Sequence, residues 1–93
     1  MRLTSSEQQA ISHAIHQVDV DALIYLYGSR VDDHAKGGDI DLLVLSPKID
    51  LMKKLDILAR LHQSLGERKI DLSVYSDSTP PFARIAIQSG VRL

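Results

Sequence analysis

"YGSRVDDHAKGGDIDLLVL", residues 27–45, sets aspartates at 39 and 41 in alternation with Ile40 and Leu42 inside an otherwise apolar run. A strand sends successive side chains to opposite faces. The pattern therefore predicts Ile40 and Leu42 in a core and Asp39 and Asp41 together on the other face, roughly 6.6 Å apart along the chain. Upstream, "ALIYLYG" (22–28) is a short apolar, aromatic-rich run ended by glycine, the pattern of a buried strand that stops at Gly28. Downstream, Pro47 closes the acid-bearing strand, expected over 39–46, because proline cannot donate to a ladder.

The remaining elements follow from caps and periodicity. Thr4-Ser5-Ser6-Glu7 fits a capping box, and Ile11, Ala14, Ile15 and Val18 recur at helical spacing, which predicts a helix over about 5–17. Asp50 can cap a second helix whose apolar face is expected to be Leu51, Leu55, Leu58, Leu61, His62 and Leu65, with Gly66 as a left-handed stop. "KIDLSVYS" (69–76) alternates as a third strand, and Thr79-Pro80-Pro81 opens a last helix that runs through about Gln88, ends near Gly90, and packs Ile85 and Ala86 on the sheet. The order helix, strand, strand, helix, strand, helix predicts a small α/β domain: a mixed β-sheet flanked by helices. Too few residues join the first two strands for a crossover helix, so that pair should be antiparallel, while the second and third can be parallel across their helix.

Size and composition narrow the possibilities. Ninety-three residues, 44% hydrophobic and 25% charged, suit one globular domain spanning 1–93. A net charge of -1 supplies no basic field, so strong nucleic-acid binding is not expected. There is no cysteine for a disulfide or thiolate site, and the four histidines lack zinc-protease spacing. No apolar run is long enough to span a bilayer or to resemble a signal peptide, so the expected location is the cytoplasm, without a membrane partner.

The acids carry the chemistry. Asp71 occupies the early position of the third strand that Asp41 occupies in the second, so neighbouring strands about 4.8 Å apart would bring Asp39, Asp41 and Asp71 to one face. Grouped carboxylates repel, and a divalent cation relieves that repulsion; an oxygen-only donor set suits Mg²⁺ or Mn²⁺. Taken alone, an Asp-x-Asp at a strand start is often only a turn or an exposed strand face. Its conjunction with a Gly-Ser strand end and a third acid is what points to a site. Gly28 would let a phosphate approach the backbone without a Cβ in the way, and Ser29 can offer its N–H and hydroxyl. Arg30 can add a charge-assisted bond to the same phosphates, or pair with Asp32 or Asp33.

"YGSR", then "GGDIDLLV", then "IDLSV" closely resembles the minimal nucleotidyltransferases of the DNA polymerase beta superfamily, and the likeness extends over most of the chain. Three details differ from that pattern: nine residues separate Ser29 from Asp39 where many relatives have ten, Gly38 stands where relatives often carry serine, and Val31-Asp32-Asp33 replaces an Arg-Gly pair. The resemblance implies a polymerase beta-like nucleotidyltransferase fold. It further implies Gly28 and Ser29 as the phosphate-binding pair, Asp39 and Asp41 as metal ligands and Asp71 as the third acid. The implied reaction moves a nucleoside monophosphate, usually AMP from ATP, onto a hydroxyl. Similar short members are antitoxins that adenylylate a helical HEPN toxin, so such a partner, in a possible oligomer with this chain, is implied too. Competing expectations are an idle module that neutralises its partner by contact, and a transferase acting on a small molecule.

Overall fold

Thr4 opens the first helix. Its hydroxyl accepts from the Glu7 N–H at 3.1 Å, while the Glu7 carboxylate accepts from the Thr4 N–H at 2.9 Å, the reciprocal capping box the residues predict. The computed structural model describes residues 3–28, 39–66 and 68–93. Within them the order is α1 (Ser5–His16), β1 (Leu23–Tyr27), β2 (Ile40–Leu45), α2 (Leu51–Leu65), β3 (Ile70–Tyr75), α3 (Pro81–Ser89) and β4 (Val91–Arg92). The strands form one mixed sheet in the order β3-β2-β1-β4. β1 lies antiparallel to both β2 and β4, and β2 lies parallel to β3, as the connection lengths require.

β4 has only two residues and was not anticipated. It exists because the chain can turn tightly against β1: a Cβ on Gly90 would stand 2.6 Å from the carbonyl oxygens of both Ala86 and Leu26. Only a residue without a side chain lets the end of α3 come so close, after which the Leu93 N–H reaches the Ile24 carbonyl at 2.9 Å.

The strand alternation divides the molecule into two layers. Ile24, Leu26, Ile40, Leu42, Val44, Ile70 and Leu72 face α1 and α2 and pack with Ile11, Ile15, Ile57, Leu61 and Leu65 in the main core. Each such side chain contributes about 1.5–3 kcal/mol when fully buried. The opposite face is thinner: Leu43 packs on Ala83 and Ala86 of α3, rimmed by Tyr25, Tyr27, Leu45, Tyr75 and Ile87. Asp19, buried at 3% exposure, joins the loop after α1 to the end of β2. It accepts from the Ser46 hydroxyl and, at 3.0 Å, from the Asp21 N–H. Glu7 likewise pairs with Arg68, tying the start of α1 to the approach to β3.

Two expected helix faces differ. In α2 the buried residues are Ile57, Leu61 and Leu65, whereas Leu51 and Leu55 are 68% and 51% exposed and His62 is exposed. At 3.6 residues per turn, Leu51, Leu55 and His62 lie roughly 100° round the helix from that stripe, so one apolar pattern holds two faces and only one can meet the sheet. In α3, Ala86 packs on the sheet as expected, but with Ala83 as its companion, while Ile85 is 63% exposed. Small residues let α3 sit close over Leu43 and its tyrosines. Among the described residues no helix is long and apolar enough to cross a membrane.

Candidate functional site

The parallel register of β2 and β3 sets Asp41 directly beside Asp71, and the antiparallel register of β1 sets Tyr27 on the other side of Asp41. Residues in register share a face, so the two acids and the tyrosine stand together on the α3 side, at the end of the sheet where β1 finishes and β2 and β3 begin. Ile40 and Leu42, fully buried on the reverse face, lock this orientation, since a one-residue slip would drive the acids into the main core.

Asp41 is half-buried and its carboxyl titrates above the ordinary value of 3.8. Burial is the largest cause. The Asp71 carboxylate follows, accepting a hydrogen bond from the protonated form of Asp41 and repelling the ionised form, and the charge of Asp39 adds to this. The Lys69 ammonium opposes these effects from 4.0 Å beyond Asp71 Oδ2. Asp71 itself is 51% exposed, so the site opens at the protein surface.

Gly28 abuts the same carboxylate. Its φ is +77°, in the left-handed region that side chains rarely adopt, and a Cβ there would overlap Asp41 Oδ2 and come within 3.2 Å of Asp41 Cγ. The room that the missing side chain leaves is thus filled by the Asp41 carboxylate, in addition to any approach it allows a phosphate. Sequence reasoning linked Gly28 to a ligand and did not foresee this contact.

Of the remaining expected residues, Asp39 is exposed and stands one step before the first register pair, Ile40 with Ile70. Among the described residues no three histidine, cysteine, aspartate or glutamate side chains form a ready-made metal cage. The geometry explains this: partners across the ladder are about 4.8 Å apart, but alternate positions of one strand are roughly 6.6 Å apart, so Asp41 and Asp71 pair more closely than Asp39 and Asp41. Ser29 and Arg30 lie outside the described residues.

Four side chains, Tyr27, Phe82, Lys69 and Ser73, were not read as site residues. Tyr27 has its titration pushed up, mainly by burial and also by the charges of Asp41 and Asp71, with Ser73 opposing the shift. Phe82 of α3 holds that tyrosine edge-on, ring centroids 5.7 Å apart, and also meets Tyr75 at 6.3 Å. Lys69 and Ser73 are the others. The alternation of residues 69, 71, 73 and 75 on one strand face could have flagged Lys69 and Ser73, whereas Tyr27 becomes significant only through its register with Asp41.

A mixed sheet that ends its first strand on Gly28 and pairs Asp41 with Asp71 is consistent with the frame of a polymerase beta-like nucleotidyltransferase domain. Residues 8–93 match the family described as Polymerase beta, Nucleotidyltransferase, and the chain belongs to that family. Transferase activity of the nucleotidyl class is the function this membership supports. No curated protein matches the chain.

Proposed function

We propose that the domain moves a nucleoside monophosphate, AMP from ATP, onto a hydroxyl of a partner protein, and that the partner is a helical toxin of the HEPN kind which the modification silences. The observation that carries the transfer chemistry is the Asp41–Asp71 register pair beside Gly28, with Asp39 one step away. In the balanced reaction the acceptor oxygen bonds to the α-phosphorus, the bond to the β-phosphate oxygen breaks, and pyrophosphate leaves. Asp71, whose carboxylate is half exposed at the surface, would take the hydroxyl proton in this reading. Asp41 and Asp39, with Asp71, would hold a divalent cation. The donor set fits one, because it is all oxygen and because Asp41, partly buried and beside acidic neighbours, ionises reluctantly, a cost that positive charge offsets. Such a cation, when bound, neutralises phosphate charge and polarises the reacting oxygens.

The half-exposed Asp71 carboxylate favours a macromolecular acceptor, since a protruding hydroxyl on another protein can reach it. The experiment is incubation of the chain with Mg²⁺ and each α-labelled triphosphate against its co-purifying or genetically adjacent protein. Label on that protein, strongest with ATP and lost with Asp39→Asn, is the expected result. Label lost from the reaction while neutralisation of the partner survives Asp39→Asn would replace catalysis by contact. Label on a small-molecule acceptor alone would remove the protein partner.

A further inference from the structure

Lys69 lies two residues before Asp71, hence on the same face of the strand, and its carbonyl accepts from the Ile40 N–H at 2.9 Å, so its backbone is held in the ladder. Continuing the β2–β3 register back by one residue sets Lys69 beside Asp39. Its ammonium stands 4.0 Å from Asp71 Oδ2, and the register sets its backbone across the ladder from that of Asp39. The side chain remains 67% exposed, on a flexible four-carbon stem that can leave this position at little cost.

An ammonium and a divalent cation compete for the same carboxylate oxygens. We propose that the Lys69 ammonium is the internal counter-ion of the Asp39–Asp41–Asp71 site, that a divalent cation displaces it, and that once displaced it binds the non-bridging oxygens of the triphosphate. Two opposite consequences follow for one residue. Lys69 weakens binding of a bare cation by competing with it, and strengthens binding of a cation–polyphosphate by adding a charge-assisted bond. An ordinary surface ion pair has neither effect. The inference rests on the nucleotidyl-transfer reading of the same acids, but it concerns binding, and can be tested without turnover.

The test is calorimetric titration of wild type, Lys69→Met and Lys69→Arg with Mn²⁺ alone, and then with inorganic tripolyphosphate in saturating Mg²⁺. Lys69→Met should bind Mn²⁺ about two- to fivefold more tightly, the worth of one exposed ion pair. It should bind tripolyphosphate about tenfold more weakly, the worth of a hydrogen bond to a charged group. Lys69→Arg keeps the charge and should stay near wild type in both titrations. Unchanged or weaker Mn²⁺ binding by Lys69→Met overturns the inference, as does unchanged tripolyphosphate binding. If wild type shows both affinities and Lys69→Met matches it, the inference falls while nucleotidyl transfer stands. If Lys69→Met shows both shifts but no triphosphate donates label to any acceptor, the inference stands and the transfer reading falls. Wild type binding neither ligand removes both.

Discussion

Asp41→Asn should make the protein more stable at neutral pH while removing its response to divalent cations. Two unit charges at the strand spacing of about 4.8 Å repel by about 0.9 kcal/mol at the dielectric of water, the fitting limit beside a half-exposed Asp71. Lys69 offsets part of this, whereas an asparagine amide can donate to Asp71 where an ionised carboxylate cannot. The expected gain is about 0.5–1 kcal/mol, or about 2–8 °C in Tm for a domain of this size. The pH dependence fixes the sign. Because the folded Asp41 titrates above its ordinary 3.8, its contribution to stability is complete below that value and is lost as pH rises through the folded pKa. Wild type and Asp41→Asn should therefore be nearly equal in stability at pH 3, diverge in favour of the variant as pH rises, and reach a constant gap by neutrality. Urea unfolding at half-unit pH steps measures this directly. Glu7, Asp19 and Asp77, all held below their ordinary values, lose their contribution as pH falls, but both proteins share them and they cancel in the difference. Saturating Mn²⁺ should reverse the order, since a ligand at a hundred times its Kd stabilises wild type by about 2.7 kcal/mol and the variant little. A variant less stable than wild type at pH 7, or a gap independent of pH, would refute the account of the acid pair.

Gly28→Ala should cost about 1–2 kcal/mol for the left-handed backbone alone, a fall in Tm of about 4 °C or more in a thermal melt, with label transfer lost as Asp41 is pushed aside. Ile57→Ala should destabilise by about 2–5 kcal/mol in urea, whereas Leu51→Ala should stay within about 0.5 kcal/mol; equal losses would restore the apolar face expected from sequence. Gly90→Ala should lower Tm and, by hydrogen exchange, unprotect the Leu93 N–H that β4 presents to Ile24. Asp39→Asn, Asp41→Asn and Asp71→Asn should each abolish transfer from α-labelled ATP, and full activity in any of them removes that residue from the chemistry.

Much of this protein is legible in one dimension. Period-two alternation around Asp39 and Asp41, the capping box at Thr4, the Asp50 cap and the glycine at 66 are local signals, because each is decided by sterics and hydrogen bonds within a few residues. The antiparallel first pair and the parallel second pair follow from connection length alone. Tertiary structure decided what depends on which elements meet. It chose Ile57 over Leu51 and Leu55 as the buried stripe of α2, because a helix with two apolar faces can offer only one to a sheet. It paired Asp41 with Asp71 more closely than with Asp39, because strands lie nearer to each other than alternate residues do along one strand. It also brought Tyr27, Ser73 and Lys69 to the acids and pressed Gly90 against β1, contacts between residues far apart in the chain that no short-range pattern encodes.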